Sequence, residues 1–395
     1  NYIVFDIGSK KIASISFSLS NKGMTVKSID HQISKGIKKN KLLEIDQLSL
    51  TLKNIYKKLS KKSDNNLVFC NITDPNVISQ KTKTSILSSN LGITKKQIRK
   101  IFRKSLSISE SNSRRLIHSD PSNFIVDEKN VVSNPIGYKC SKLDLLSFNV
   151  LVDKSLFQNL NLCFNNNKIL VQSFFDSGVA SAEACLSSKE KEEGSVCIDI
   201  GCETTKVVVF VESKMIYISN ISVAGSNVTS DVSQGLNISF DSAELAKIMH
   251  GTVSAPFNEK VEIEDDSNKK KIISKNLLFG IIKPRYEEIL EIIRDNIFDN
   301  INARIAIKSV VLTGGASKIF GIQSVCENIF NRKTRIGNNE NNHSFFYNKP
   351  EFSTLLGMIK LAKKFDPNIQ ISSKKENKLI NFAEKLENWI EESYV

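Results

Sequence analysis

Two stretches set the hydrophobic pattern of this chain. Residues 2–16 read YIVFDIGSKKIASIS and residues 196–210 read VCIDIGCETTKVVVF. In each, an alternating, β-branched apolar run stops at a polar turn and then resumes. That pattern predicts two strands joined as a hairpin. The turns are alike. Asp6 and Gly8 repeat the Asp-x-Gly step of Asp199 and Gly201, and hydroxyl residues follow both. A turn carrying a carboxylate, a glycine and hydroxyls is too polar for a core and suits phosphate or a metal. One such hairpin is as readily an ordinary tight turn. Two suggest equivalent halves facing one ligand.

The periodicity elsewhere alternates strand and helix. Residues 24–29, 67–72, 169–174 and 215–221 read as strands, and 45–62, 153–162 and 322–330 as helices. The strand at 67–72 is expected to pair in parallel with the first sheet. From about Pro75 to Asn149 this rhythm is lost. A short amphipathic helix over 95–102, capped by Thr94, and short strands at 124–127, 131–132 and 146–152 predict a small inserted subdomain. Residues 187–194 are charged and read as a loop, and 252–271 as strands or loop. The helix at 239–251 is expected to be capped by Asp241 or Ser242, and a long helix to follow Pro284. Two segments, 177–186 (SGVASAEACL) and 352–364 (FSTLLGMIKLAKK), are helical and rich in small residues, which allows close helix approach.

Composition narrows the class without naming a ligand. A chain of 395 residues, 40% hydrophobic and 25% charged, exceeds one comfortable core and predicts two or more folded domains. Seven cysteines at irregular spacing, with no Cys-x-x-Cys pair, suggest neither a disulfide framework nor a zinc site. The odd count and the absence of a signal peptide favour a reducing cytoplasm. The first residue is Asn1, so a few native residues are expected before it. No run approaches membrane-spanning length. The net charge of +13 licenses only nonspecific attraction to polyanions. Its lysines are scattered, without aromatic interleaving, so no specific nucleic acid is expected.

A third candidate element is IKSVVLTGGASKIFG at 307–321, where an apolar strand meets Gly314 and Gly315. Adjacent glycines let backbone approach a flat or charged ligand without an intervening Cβ. The three spaced glycines of the dinucleotide fingerprint are missing, as is a Walker lysine.

Taken in order, these pieces resemble the actin, Hsp70 and sugar kinase superfamily, and within it the FtsA family of bacterial cell division proteins. DIGSKK from Asp6 and DIGCETT from Asp199 resemble its two phosphate loops. GVASAEACL and FSTLLG resemble its connecting helices, and VLTGGASKIFG its adenosine motif. More particular to the family are VAGSNVTSDVSQGL at 223–236, AELAKIMHG at 243–251 and NPIG at 134–137. The resemblance covers essentially the whole chain. It implies an α/β, actin-like (ribonuclease H-like) fold of two domains with a cleft between halves and a small inserted α/β subdomain. The expected plan is domain 1 over 1–73 and 150–190, the insert over 74–149, domain 2 over 191–350, a return helix over 351–370, a basic linker over 371–378 and an amphipathic helix over 379–395.

The resemblance also implies ATP with Mg²⁺ in the cleft. Gly8, Ser9, Gly201, Thr204 and Thr205 would form the nest of N–H groups and hydroxyls for phosphate. Lys10 would add charge there. Asp6 and Asp199 would face hydrated Mg²⁺. Gly225, Glu244, Lys247, Gly314 and Gly315 would lie against the nucleoside. The alternative for Glu244 and Lys247 is a surface ion pair three residues apart. Cys202 and Glu203 replace the glycines usual in the second loop, and Lys206 replaces an acid. A glutamate repels phosphate unless it points away, and no residue can be named to position an attacking water. At most a weak ATPase is expected.

The terminal segment places Leu379, Ile380, Phe382, Leu386, Trp389 and Ile390 on one helix face, as an interfacial helix would. Four Glu against one Lys give it a net charge of −3, which an anionic leaflet repels, and upstream lysines offset this in part. The implied function is a filament-forming adaptor on the cytoplasmic face of the inner membrane at the division site. It would bind the C-terminal tail of the tubulin-like ring protein FtsZ and recruit downstream division proteins. A pilus-assembly ATPase or a small-molecule kinase of the same fold is the alternative.

Overall fold

The computed structural model describes residues 1–20, 23–38, 41–60, 66–88, 91–256, 259–264, 270–301, 307–337 and 349–363. Its centre is one topology built twice. In the first sheet the strands run in the order Val171–Asp176, Leu67–Ile72, Tyr2–Ile7, Lys11–Ser20, Gly23–Ile33. In the second the order is Lys333–Ile336, Ser309–Thr313, Ser195–Ile200, Thr205–Val211, Lys214–Ile221. Each central strand pairs antiparallel with its hairpin partner on one side and parallel with a crossover strand on the other. Both central strands are buried on both faces, which explains their near-continuous apolar runs.

Two helices join the halves, and each crosses over. Ser177–Cys185 leaves the first sheet and packs mainly on the second, while Ser353–Lys363 leaves the second and packs on the first. Where they meet, backbone touches backbone. A Cβ at Gly357 would stand 1.6 Å from the Ala180 carbonyl oxygen. The small residues in both segments are there for this contact.

The insert has its own core. Its antiparallel sheet runs Ile78–Leu87, Lys142–Asp153, Arg114–Val126, Asn130–Val132. The helix Lys95–Ser109 packs Ile98, Ile101, Phe102 and Leu106 into it. Thr94 and Gln97 form a reciprocal cap at its start. The second half adds the helices Gly225–Leu236, Phe240–His250 and Lys275–Asn300.

Several elements differ from the sequence reading, for local reasons. Ile78–Leu87 was not expected as a strand, because its inward positions include Thr82 and Thr84, and lysines alternate with them. Residues 188–193 form a short helix rather than a loop. No residue in it is buried, so it has no apolar period, but Ser187 and Glu190 cap it reciprocally. Ser239 caps the helix Phe240–His250, in place of Asp241 or Ser242. Pro284 lies inside the helix Lys275–Asn300, not at its start. A proline forfeits one backbone bond there, and the buried face from Leu278 to Ile297 runs through it unbroken.

Candidate functional site

The two hairpin turns face one another across a cleft of about 760 Å³ between the halves. That volume lies within the roughly 300–1,000 Å³ of pockets that bury a small molecule. The turns share one geometry. Gly8 N–H donates to the Lys11 carbonyl at 3.0 Å, and Gly201 N–H to the Thr204 carbonyl at 3.0 Å. A Cβ at Gly201 would come within 2.8 Å of the Thr204 oxygen, so the turn requires glycine. The glycine N–H groups are therefore used within the turns. The N–H groups of Ser9, Lys10, Cys202 and Glu203 at the tips have no hydrogen-bond partner among the described residues. Cys202 and Glu203 were thus missed as backbone donors, since residue type hides what a turn exposes. Cys202 and Thr204 line the cleft, whereas the Glu203 side chain does not.

Behind the tips stand the two aspartates, in different settings. Asn71 holds the first: its Nδ2 donates to Asp6 Oδ1 at 2.8 Å and its Oδ1 accepts from Ile7 N–H at 2.6 Å. Burial pushes the Asp6 carboxyl up to about 6, with Asp199 adding to the rise and Lys206 and Lys11 opposing it. Asp199 is crowded with donors. Its Oδ2 accepts from Ser181 Oγ at 2.7 Å, Lys206 Nζ at 3.1 Å and Thr354 Oγ1 at 3.4 Å. Its Oδ1 lies against Gly314, where a Cβ would come within 2.3 Å. Burial works against the charge on Lys206, but the carboxylates of Asp199 and Asp6 outweigh it and hold the ammonium above the ordinary lysine range. Among the described residues no three His, Cys, Asp or Glu side chains group as a metal site. This donor set does not fit a divalent ion coordinated directly by both aspartates. Asp199 Oδ2 already takes three donors, one of them a cation, and Oδ1 packs against Gly314.

The second wall rises from the helices at 225 and 240. Gly225 N–H donates to the Gly201 carbonyl at 3.2 Å and Ser226 N–H to the Cys202 carbonyl at 2.7 Å, pinning the second turn. Lys247 is buried. It donates to Gly225 O at 3.0 Å, Thr229 Oγ1 at 2.7 Å and Glu244 Oε2 at 2.5 Å. The pair is therefore an internal brace, not a solvated surface bridge. Burial opposes ionisation of Glu244, yet Lys247 first, then Thr229 and Lys10, hold its carboxyl at about 2. Lys10 reaches across from the first half to Glu244 Oε1 at 2.9 Å. The glycine pair divides its work. Gly314, at φ +89°, makes room for Asp199, while Gly315 faces open space with only Glu351 Cβ at 3.8 Å. Beyond it the cleft turns apolar: Ile248, Met249 and Phe320 line it and are 65%, 70% and 73% exposed. These three were not read from the sequence. The signal available was an apolar pair at the end of a helix whose opposite face is already buried.

All but one of the expected site residues line this cleft: Asp6, Gly8, Ser9, Lys10, Asp199, Gly201, Thr204, Gly225, Glu244, Lys247, Gly314 and Gly315. Thr205 is the exception. It is fully buried, and its hydroxyl donates to the Val223 carbonyl at 2.7 Å because it opens the returning strand rather than closing the turn. The expected membrane residues, Leu379, Ile380, Phe382, Leu386, Trp389 and Ile390, lie outside the described residues.

A duplicated five-stranded unit, two crossing helices and a cleft flanked by matched turns define an actin-like protein. Solved structures agree on the fold. A PilM-PilN type IV pilus biogenesis complex superposes with a TM-score of 0.65 at 13% identity, covering 91% of this chain and 98% of that one. MreB5 of Spiroplasma citri, in one structure bound to ADP and in another bound to AMPPNP, gives 0.58 at 13%, covering 94% and 93% of this chain and 98% of each neighbour. The family model for cell division protein FtsA matches residues 196–357, and that for the SHS2 domain inserted in FtsA matches residues 75–150. Cell division protein FtsA of Agrobacterium fabrum is 29% identical over 355 residues, covering 85% of this chain and 80% of that protein. The chain belongs to the FtsA family of actin-like cell division proteins.

Proposed function

We propose that this chain binds ATP in the cleft and uses the bound nucleotide as a switch for assembly into actin-like filaments. In that form it tethers the tubulin-like ring protein FtsZ, through the ring protein's C-terminal tail, to the inner face of the cytoplasmic membrane at the division site. It would also help recruit downstream division proteins. The observation that carries the nucleotide reading is the pair of facing turns, whose four unpaired N–H groups point to an anion. The open, apolar far end suits a flat base, with Ile248, Met249 and Phe320 as its walls. Mg²⁺ carried on the phosphates would meet Asp6 through water, since Asp199 is already occupied. Membrane attachment is assigned to residues 379–395. No described helix is long and apolar enough to cross a membrane. The pilus reading rests on a fold likeness at 13% identity, which carries the fold alone.

Titration calorimetry with ATP tests the cleft. Saturable binding is expected, with Phe320→Asp weakening it by about tenfold, equivalent to 1.4 kcal/mol. The absence of saturable binding to the folded protein would sink the reading. A peptide of the FtsZ tail tests the division role in the same way. Liposome sedimentation with and without residues 379–395 tests the anchor, and undiminished binding by the truncated chain would refute it.

A further inference from the structure

We propose that the ammonium of Lys206 serves as a built-in cation at the floor of the cleft, so that this chain holds nucleotide phosphates with little dependence on a divalent metal. The inference rests on the reading of the cleft as a nucleotide site and concerns how its charge is neutralised.

The hairpin register fixes where this lysine stands. Lys206 pairs directly across the ladder with Asp199, so its side chain and the carboxylate share one face of the sheet. Its stem runs past the connecting helix at Gly178, where a Cβ would approach Lys206 Cβ to 3.2 Å. Its head reaches Asp199 Oδ2 at 3.1 Å, with the lysine side chain 13% exposed and the aspartate 5%. A Cβ on Gly201 would stand 3.6 Å from the Lys206 nitrogen, so the ammonium lies beside the second phosphate turn. It lines the cleft.

The charges around it point the same way. Asp6 and Asp176 both act electrostatically on Lys206. Asp176 caps the connecting helix with Oδ1, accepting from Gly178 and Val179 N–H at 2.7 and 3.0 Å, and its buried Oδ2 has no hydrogen-bond partner. A lysine here is thus held charged by neighbouring carboxylates, with its side chain largely buried at the cleft floor. An ammonium carries three donors. One goes to Asp199, and the remaining two can meet phosphate oxygens bound at the turns. Magnesium demands near-ideal octahedral oxygen ligands and keeps several waters. Asp199 offers it one oxygen already taken by three donors, a second packed against Gly314, and a neighbouring positive charge.

The test measures affinity of the full chain for a fluorescent ATP analogue in Mg²⁺ and in EDTA, beside Mn²⁺ binding to the nucleotide-free protein by electron paramagnetic resonance. The wild type should lose less than about threefold in EDTA and show no protein-bound Mn²⁺ signal. Lys206→Met should weaken binding in EDTA by about tenfold or more, one desolvated charge–phosphate contact. Lys206→Asp should bind the analogue only with the divalent ion and acquire the Mn²⁺ signal. Circular dichroism verifies that the variants fold. Wild-type binding that collapses in EDTA, or a wild-type Mn²⁺ signal, overturns the inference without any variant and leaves the nucleotide reading standing. Failure to bind the analogue in either medium overturns the nucleotide reading and this inference with it.

Discussion

Replacing Gly357 by alanine should loosen the hinge between the two halves. On helix propensity alone the change is favourable, because alanine in a helix interior is better than glycine by about 0.8–1.0 kcal/mol. The packing says the opposite. The new Cβ would lie 1.6 Å from Ala180 O, 2.4 Å from its carbonyl carbon and 3.0 Å from its Cα. All three atoms are backbone, so no side chain can rotate away. Restoring ordinary contact requires the crossing helices to part by roughly 2 Å in a close-packed interior. Overpacking of this kind costs about 1–3 kcal/mol, and backbone against backbone belongs at the upper end. The net expectation is a loss of about 1–2 kcal/mol, or roughly 2–8 °C in Tm. Gly280→Ala is the control. Gly280 also lies within a helix, and its Cβ would meet nothing within 4 Å, so that variant should gain stability. Thermal unfolding followed by circular dichroism compares the two. Equal stabilisation by both would refute the reasoning. The wedge should also weaken ATP binding, because Ser181 Oγ and Thr354 Oγ1, 2.9 Å apart on these helices, both reach Asp199.

Three further outcomes follow from the same geometry. Gly314→Ala should abolish ATP binding or folding, since its Cβ would collide with Asp199 at a positive φ, whereas Gly315→Ala should be tolerated; calorimetry of both variants compares them. Glu190, held at about 2 against burial by Arg335 and the Ser187 cap, contributes stability that is complete above its ordinary value of 4.5 and is lost as pH falls toward 2. The pair is partly exposed, so Arg335→Met should cost only about 1 kcal/mol near neutrality, and acid unfolding curves should converge at low pH. Thr94→Ala removes a capping box and should cost about 1 kcal/mol, seen as faster hydrogen exchange confined to the helix Lys95–Ser109.

The duplicated hairpins were legible because each central strand is buried on both faces, and burial writes itself into sequence as an unbroken apolar run ended by Asp-x-Gly. The connecting helices were legible for a related reason: backbone contact leaves room only for small residues. What escaped had no such signature. The strand Ile78–Leu87 turns Thr82 and Thr84 inward, and hydroxyls do not register as a hydrophobic stripe. At the site, residue types named the aspartates and glycines but could not say which N–H groups the turns leave unpaired. Nor could they separate Thr204, which lines the cleft, from Thr205, which is buried beneath it. Asn71 was missed because a lone asparagine at a strand end looks like a turn residue, while its work is to hold Asp6.

The two halves are copies in more than topology, and one difference between their matched hairpins falls at the site. In the first half Asn71, on the parallel neighbour strand, bonds Ser177 at the start of a connecting helix at 3.0 Å. In the second, Thr313 on the equivalent strand bonds Ser353 at the start of the other helix. Across the hairpin, however, Asp6 faces Ala13 whereas Asp199 faces Lys206. The same fold position thus carries a methyl on one side and an ammonium on the other. Asp6, with no partner of opposite charge across its ladder, is raised to about 6 by burial, while Asp199 stands in direct contact with a cation. A ligand entering the cleft meets two carboxylates of unequal character, one raised by burial and one already paired with a cation. Exchanging them, with Ala13→Lys beside Lys206→Ala, would move the cation to the first turn while leaving the net charge unchanged. If position rather than total charge governs phosphate binding, ATP affinity in EDTA should fall in the exchanged protein by about tenfold; equal affinity would show that only the sum of charges matters.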